Sequence, residues 1–140
     1  MSYTKLTPIE FNHCDPAGIV FYPRYFEMIN STVENFFETV VGYSFARMHL
    51  DGAGNGTPTV SIQCDFRAPS RLGEKVPFTL TVTSVGRSSL GVTIRAEHEG
   101  ELRLEAKLTL VWISHGRAAS WPEEIRTKLQ EELDKGGQNG

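Results

Sequence analysis

Apolar residues recur at spacings of three and four along residues 23–42, the pattern of a helix with one buried face. Proline suits the first turn of a helix, where an N–H would lack a partner, and Pro23 stands there. Gly42 stands where a left-handed residue commonly ends a helix. The apolar stripe between them consists of Phe26, Ile29, Val33, Phe36, Phe37 and Val40. The pattern predicts one long helix packed deeply against a sheet.

Four later segments alternate apolar and polar residues, as strands with one covered face do. They are residues 60–66, 78–82, 90–94 and 104–112. Turn-forming residues at 86–89 and at Glu99-Gly100 predict hairpins between the last three. The pattern therefore predicts an antiparallel sheet.

Weaker signals complete the list of elements. A first strand is predicted over about residues 4–11, and the glycine-rich residues 52–56 predict a loop. Pro122 opens a last, short helix. The order of strand, long helix, four strands and short helix predicts a two-layer α+β domain over residues 1–135. The glycine-rich residues 136–140 predict a disordered tail.

Composition narrows the class of protein. The 140 residues carry a net charge of -3, which gives no general reason to expect nucleic-acid binding. Two cysteines in a chain of this length do not indicate a disulfide-built secreted domain. No signal-like segment and no apolar run near the roughly 20 residues that span a bilayer are visible. We therefore expect a cytoplasmic protein with no membrane partner.

The stretch from His13 to Phe26 carries the candidate chemistry. Asp15 lies in Asp-Pro-Ala-Gly, a turn sequence just ahead of the predicted helix. The first N–H groups of a helix lack intrahelical acceptors and can stabilise an oxyanion. A carboxylate beside them can attack a carbonyl carbon or activate water. Asp before Pro is also an ordinary turn former, but the apolar run 19–21 after it is unusual for an exposed turn.

The same stretch resembles the signature of the 4-hydroxybenzoyl-CoA thioesterase family, whose members have the hot-dog fold. The likeness covers Cys-Asp-Pro-Ala-Gly-Ile-Val, then an aromatic residue, Tyr-Pro and further aromatic residues. Gly-Thr-Pro at residues 56–58 resembles the family's entry to its second strand. The resemblance implies a five-stranded antiparallel sheet wrapped around one long central helix, and hydrolysis of an acyl-CoA thioester, most closely an aromatic one such as 4-hydroxybenzoyl-CoA.

The resemblance also implies roles for residues. Asp15 matches the catalytic carboxylate, as nucleophile or general base, and Tyr22 matches the residue whose backbone amide polarises the thioester carbonyl. Further residues expected to border the acyl-CoA are His13, Gly18, Thr57, Arg87, Ser88 and Ser89. The family implies a homodimer or a dimer-of-dimers homotetramer with shared active sites, and we expect no cofactor and no metal.

Two features depart from the family, and a third distinguishes the chain from a related branch. His13 stands where members often have an acidic residue, and in an extended segment it would face the same side as Asp15. Pro23 replaces the His that typically follows the tyrosine in a related short-chain branch, which favours an aromatic acyl group. The loop at Arg87 resembles the family's nucleotide-contacting loop with fewer basic residues. Other candidate contacts to the CoA phosphates are Arg67, Arg71, Lys75 and Arg117.

Alternatives remain open at the level of sequence. Cys14 and its neighbours are metal-ligand types, but adjacent strand residues point to opposite faces and cannot easily share one ion. Cys14 as a nucleophile lacks a recognisable His partner other than the adjacent His13. A short-chain thioesterase, a hydratase or dehydratase, and a non-catalytic acyl-CoA-binding module on the same fold are further readings.

Overall fold

The computed structural model describes residues 2–51 and 54–139 of the chain. The strands are β1 (Tyr3–Pro8), β2 (Thr59–Phe66), β3 (Lys75–Val85), β4 (Ser89–His98), β5 (Glu101–Val111), β6 (Ile113–Ser114) and β7 (Arg117–Ala118). The helices are α1 (Arg24–Phe36), α2 (Phe45–Asp51) and α3 (Glu123–Asn139), with a 3-10 turn at Phe11–His13 and a π-helical turn at Phe37–Val41.

The five long strands form one antiparallel sheet in the order β1-β3-β4-β5-β2. This arrangement confirms the predicted sheet and both predicted hairpins. At the turn between β4 and β5, Glu99 and Gly100 have φ of 52° and 80°, as a tight hairpin turn requires. The register leaves β1 and β2 as the two edges of the sheet, so β2 pairs with β5 alone.

Helix α1 packs against the sheet through the apolar side that the sequence predicts. Ile29, Val33 and Phe36 are each 1% exposed, within one core cluster that includes the inward-facing residues of β3, β4 and β5. The α-helix has 13 residues, and the π-helical turn continues it to Val41. Gly42 follows with φ of 76°, as predicted for a left-handed cap. Phe26 is 38% exposed, so its place in the buried stripe was wrong.

The remaining differences lie at chain segments with weak patterns. Strand β1 ends at Pro8, and the 3-10 turn replaces the predicted strand end. Helix α2 and the β6–β7 hairpin were not predicted. The predicted loop at 52–56 includes residues 52 and 53, which lie outside the described part of the chain.

Helix α3 covers the half of β3 that β1 leaves unpaired. Strand β1 pairs only with the residues of β3 from Lys75 to Leu80. Farther along β3, a Cβ built at Gly136 of α3 would lie 3.7 Å from the Val82 carbonyl oxygen. The helix has 17 residues and is longer than predicted. The helix continues to Asn139, whereas the sequence predicts a disordered tail over residues 136–140.

None of the helices in the described ranges combines the length and the hydrophobicity needed to cross a bilayer.

Candidate active site

A small hairpin carries the candidate carboxylate. Cys14 and Val20 face each other as an antiparallel bridge. The Asp15 N–H donates to the Ile19 carbonyl at 3.0 Å, and the Phe21 N–H donates to the His13 carbonyl at 2.9 Å. We call residues 13–21 the site hairpin. Its second arm leads directly into α1, so the turn and the helix start form one continuous unit.

Asp15 sits at the entry to the turn of the site hairpin. Its Oδ1 accepts a hydrogen bond from the Ala17 N–H at 2.9 Å, and its carbonyl accepts one from the Gly18 N–H at 2.9 Å. Gly18 has φ of 77°, a conformation that favours glycine. Within the described ranges, Oδ2 of the half-buried Asp15 accepts no hydrogen bond and pairs with no cation. One carboxylate oxygen fixes the turn, and the other is available to a ligand.

The backbone before α1 offers one amide donor. Short-range bonds occupy the first amides of the helix: Arg24 N–H donates to the Phe21 carbonyl and Tyr25 N–H to the Tyr22 carbonyl. Pro23 has no N–H. Of the residues that the structure describes, none accepts a hydrogen bond from the Tyr22 N–H. The geometry therefore leaves the Tyr22 amide as a donor at the positive end of the helix dipole.

His13 is turned toward the preceding chain. It lies in the 3-10 turn, and not in an extended segment as the sequence suggested. Its Nδ1 accepts a hydrogen bond from the Glu10 N–H at 2.8 Å, so Nδ1 carries no proton in this arrangement. His13 caps the turn that leads into the site hairpin, and its role toward substrate stays a prediction.

The chain between β2 and β3 holds the site hairpin in place. The Val20 N–H donates to the Ser70 carbonyl at 2.9 Å, and the Leu72 N–H donates to the Gly18 carbonyl at 3.0 Å. The Ser70 N–H donates to the Tyr25 hydroxyl at 3.1 Å. We call residues 68–74 the supporting segment, because it bonds both to the hairpin and to the first turn of α1.

An ion pair joins the supporting segment to β5. Arg103, which is 6% exposed, donates from Nη1 to Glu74 Oε1 at 2.7 Å and from Nη2 to Glu74 Oε2 at 3.1 Å. The hydrogen bonds from Arg103 hold the pKa of Glu74 down at about 2, with help from the Arg71 N–H and from the charges of Arg103 and His98, while burial opposes the shift. Sequence reasoning missed this pair, although an arginine inside the apolar run of β5 was a visible signal.

A groove of about 300 Å³ borders the helix start. It is lined by Val20, Tyr22, Tyr25, Phe66, Arg67, Ala68 and Pro69. The Tyr22 and Phe66 rings lie 5.9 Å apart, centroid to centroid, and the Phe26 ring stands edge-on to Phe66 at 6.1 Å. The groove thus has aromatic walls and one basic side chain, that of Arg67.

The other predicted substrate contacts lie at the opposite end of the sheet. Gly56 pairs with Ile113, and the Trp112 N–H donates to the Ser88 carbonyl at 2.7 Å. The Trp121 indole N–H donates to the Ser89 carbonyl at 3.1 Å, and its backbone N–H donates to the Arg87 carbonyl at 3.0 Å. These bonds bring Thr57 and the turn containing Arg87, Ser88 and Ser89 together, beside the end of β5.

Thr57 lines a hollow of its own. This hollow, of about 340 Å³, lies between α1, α2 and the chain entering β2, and shares no lining residue with the groove at Tyr22. The Thr57 hydroxyl is buried and has no hydrogen-bond partner among the described residues. Within one chain, the structure brings Asp15, Gly18 and Tyr22 together but does not bring Thr57 or Arg87 to them.

Neither cysteine is placed as an activated nucleophile. Cys14 packs beside the core, with its Sγ 3.5 Å from the Glu10 carbonyl oxygen. Burial, with a contribution from Asp65, raises the pKa of the Cys64 thiol to about 11. Across residues 2–51 and 54–139, no group of three or more His, Cys, Asp or Glu side chains is arranged to hold a metal ion.

Comparison with protein families matches residues 9–129 to the family described as the thioesterase-like superfamily. A 4-hydroxybenzoyl-CoA thioesterase of Pseudomonas sp. (strain CBS-3) is 34% identical over 65 residues. That match covers 46% of this chain and 46% of the relative, so it spans about half of the relative's length.

Solved structures share the fold over nearly the whole chain. A hypothetical protein of Thermus thermophilus superposes with a TM-score of 0.85 at 26% identity, covering 94% of this chain and 98% of that one. A 1,4-dihydroxy-2-naphthoyl-CoA thioesterase of Synechocystis gives a TM-score of 0.85 at 20% identity, covering 96% and 98%. The fold is the hot-dog fold predicted from the sequence.

Proposed function

The chain belongs to the thioesterase-like superfamily, and from this premise we propose that it is an acyl-CoA thioesterase whose catalytic carboxylate is Asp15. The observation that carries the proposal is the site hairpin. It holds a carboxylate with one unpaired oxygen on the same short unit as the available Tyr22 amide. These two groups are the parts that hydrolysis of a thioester needs.

In the proposed reaction, the Tyr22 N–H donates to the thioester carbonyl oxygen and stabilises the negative charge that develops on it. Asp15 Oδ2 either attacks the carbonyl carbon or takes a proton from an attacking water. Attack by Asp15 expels the CoA thiolate and leaves an acyl–Asp15 anhydride, which water then hydrolyses to the free acid and Asp15. Activated water instead expels the thiolate and gives the free acid directly. Pro23 supports the arrangement because it begins the helix without adding a competing donor.

We propose an aromatic acyl group, similar to 4-hydroxybenzoyl. Phe66, Phe26 and Tyr22 form half-exposed aromatic walls beside the helix start. Aromatic rings favour tilted and edge-on packing, which suits a flat acyl group between them. The Pseudomonas and Synechocystis relatives are named for 4-hydroxybenzoyl-CoA and 1,4-dihydroxy-2-naphthoyl-CoA, both aromatic thioesters.

We further propose that two copies of the chain share each active site. Strand β2 runs for 8 residues from the Thr57 end of the sheet to Phe66, roughly 25 Å at about 3.3 Å per residue. Asp15 and Tyr22 lie near its far end, and the predicted CoA contacts Thr57 and Arg87 near its start. The two halves of the predicted site are therefore too far apart to meet within one chain.

A two-fold pairing along β2 removes this separation. Strand β2 is a sheet edge, and its apolar Val60, Ile62 and Phe66 are 60%, 41% and 44% exposed. Apolar edge strands of this kind invite pairing with another strand. Antiparallel pairing with a second copy sets the start of one β2 beside the end of the other, so the Thr57 end of one subunit meets the Tyr22 end of its partner. A dimer of dimers is compatible with the same interface.

We place this activity in the cytoplasm and propose neither a cofactor nor a nucleic-acid or membrane partner. Cys14 and Cys64 are both free thiols, in keeping with a reducing compartment. The proposed hydrolysis consumes only water and the thioester.

The test of the proposed function is thiol release from a panel of acyl-CoAs by the purified protein. We expect the highest kcat/KM with 4-hydroxybenzoyl-CoA, compared with butyryl-CoA and palmitoyl-CoA. Preference for butyryl-CoA would support the short-chain alternative. Binding of CoA without any thiol release would support a non-catalytic acyl-CoA-binding module.

Asp15→Asn tests the catalytic carboxylate. We expect the variant to fold normally and kcat to fall by at least about 100-fold, because the carboxamide is neither a nucleophile nor a base. Cys14→Ala is the matched control, since it changes the adjacent side chain and is expected to keep activity. Full activity of Asp15→Asn on the best substrate would show that the proposed mechanism is wrong.

A further inference from the structure

The Arg103–Glu74 pair lies outside the proposed catalytic groups but is connected to them by hydrogen bonds. Beyond its two contacts with Glu74, Arg103 Nη1 donates to the Pro69 carbonyl at 3.0 Å and lies 3.2 Å from the Ser70 hydroxyl. Glu74 Oε1 also accepts a hydrogen bond from the Arg71 N–H at 2.6 Å. The pair therefore fixes both ends of the supporting segment.

The supporting segment connects the Arg103–Glu74 pair to the candidate active site. Ser70, which is fully buried, accepts from the Val20 N–H with its carbonyl and donates its own N–H to the Tyr25 hydroxyl. Val20 is in the arm of the site hairpin that precedes Tyr22, and Tyr25 is in the first turn of α1. One buried residue thus ties together the two pieces of chain that flank the Tyr22 amide.

Several polar groups contact the Arg103 guanidinium. The guanidinium is planar and matches the carboxylate with two parallel hydrogen bonds, a geometry that lysine cannot reproduce. His98 Nδ1 lies 3.2 Å from Arg103 Nη2, and Glu101 Oε1 lies 2.7 Å from Nε without the alignment of a hydrogen bond. The guanidinium therefore has polar neighbours on several sides.

We propose that Arg103 and Glu74 are positioning residues for catalysis: through Ser70 they set the Tyr22 amide and the site hairpin in the geometry required for thioester cleavage. This inference rests on the proposed function. It assigns catalytic importance to a pair that contacts no substrate and lies in the supporting segment and on β5, outside the site hairpin. A misplacement of about 1 Å at a reacting centre can cost roughly 100-fold in rate, so a distant support can control turnover.

The first arm of the test is kinetic. In Glu74→Gln, and independently in Tyr25→Phe, we expect kcat to fall by roughly tenfold or more while KM stays within about twofold. Glu74 does not line the groove, and Tyr25→Phe keeps the ring that does while removing the hydroxyl that bonds to Ser70. A purely structural role would lower the melting temperature and leave kcat of the folded enzyme unchanged. Arg103→Lys keeps the positive charge but loses the two parallel hydrogen bonds to Glu74. We expect its kcat to fall as in Glu74→Gln.

Glu105→Gln is the matched control. Glu105 also pairs with an arginine across neighbouring strands, Arg95 of β4, but this pair has no bond to the supporting segment. We expect Glu105→Gln to leave kcat and KM unchanged. An equal loss of kcat in Glu105→Gln and Glu74→Gln would show that any arginine–glutamate pair involving β5 has the same effect, and would overturn the proposal.

The second arm needs no substrate. Amide hydrogen exchange over residues 13–22 is expected to speed up in Glu74→Gln and to stay unchanged in Glu105→Gln. Unchanged exchange in Glu74→Gln would overturn the link between the pair and the site hairpin, whatever the activity. Faster exchange with unchanged kcat would confirm the link between the pair and the site hairpin but overturn its proposed importance for catalysis. Wild-type protein that hydrolyses no acyl-CoA would overturn this inference together with the proposed function.

Discussion

Thr7 and Thr57 bury their hydroxyl oxygens without a hydrogen-bond partner among the described residues. Burying an unpaired hydroxyl costs about 1–3 kcal/mol, so such groups call for an explanation. Thr7 lies on β1, where it pairs with Val76 of β3, and it lines neither the groove at Tyr22 nor the hollow at Thr57. Thr57 lines a hollow at the end of β2 and is a predicted substrate contact. Both buried hydroxyls therefore lower the stability of the fold, but only the Thr57 hydroxyl is expected to contact substrate.

Thr57→Val is predicted to raise stability and lower activity. Valine has nearly the shape of threonine and removes the unpaired hydroxyl, so the free energy of unfolding should rise by up to about 1 kcal/mol. The kcat/KM for an aromatic acyl-CoA should fall, because a donor and acceptor has left the predicted site. Urea unfolding and thiol-release assays measure the two effects.

Thr7→Val is the control for this prediction. It makes the same chemical change at a buried hydroxyl and should stabilise the protein without any change in kcat/KM. Equal activities of Thr57→Val and wild type would remove Thr57 from the substrate contacts.

Between elements, the bond from β5 to the supporting segment depends on the charge of Glu74. Its folded-state pKa of about 2 lies below the ordinary value of 4.5. A carboxyl group with a lowered folded pKa stabilises the protein fully above its unfolded pKa and loses that contribution as pH falls toward the folded value. The attachment of the supporting segment should therefore weaken between about pH 5 and pH 2.

Urea unfolding of wild type and Glu74→Gln at pH 7, 5 and 3 tests this dependence. The difference in unfolding free energy should be largest at pH 7 and should shrink by on the order of 2 kcal/mol toward pH 3, where Glu74 is largely protonated in the unfolded chain but still largely charged in the folded protein. A difference that is the same at pH 7 and pH 3 would contradict the assignment of the acid sensitivity to this carboxyl group.

Elements defined by local patterns were predictable from the sequence. The stripe of α1 and the alternation of β3, β4 and β5 each repeat several times, and Gly42 marks a conformation that few other residues adopt. Helix α2 lacks such a signal, since its seven residues bury only Met48. The two-residue strands β6 and β7 are too short to show an alternation.

Only the local part of the candidate site could be read from the sequence. Asp15, Gly18 and Tyr22 lie within one short stretch, and the site hairpin keeps them together. Glu74 and Arg103 are 29 residues apart, and only the folded arrangement of the supporting segment against β5 brings them into contact. The sequence suggested that His13 faces Asp15, but the 3-10 turn redirects its ring toward Glu10.

At the scale of the whole molecule, the sheet separates two groups of predicted site residues. Asp15 and Tyr22 lie at the end of the sheet where β2 finishes, whereas Thr57 and Arg87 lie where β2 begins. If two copies pair along β2, each site takes Asp15 from one chain and Arg87 from the other. A monomer would then contain both Asp15 and Arg87, but at opposite ends of its sheet, and would have no complete active site. Mixing two defective variants tests this arrangement.

Asp15→Asn and Arg87→Ala are each expected to impair the homodimer, the first in kcat and the second in KM for acyl-CoA. In a mixed dimer of shared sites, one site receives both substitutions and the other receives neither. Random exchange of subunits makes half of the dimers mixed, and each mixed dimer has one unsubstituted site of its two. About a quarter of all active sites should therefore be intact, and activity should reach about a quarter of the wild-type value.

The measurement is thiol release at subsaturating acyl-CoA before and after unfolding and refolding the two variants together, with the mixed dimer verified by native mass spectrometry. If each chain held its own complete site, every mixed dimer would contain two singly defective sites, and activity would stay at the average of the two homodimers. Ile62→Lys adds a control, because a charge on the exposed apolar edge of β2 should prevent pairing and abolish the recovery. Recovery above the average therefore requires that the residues at opposite ends of the sheet meet across two chains.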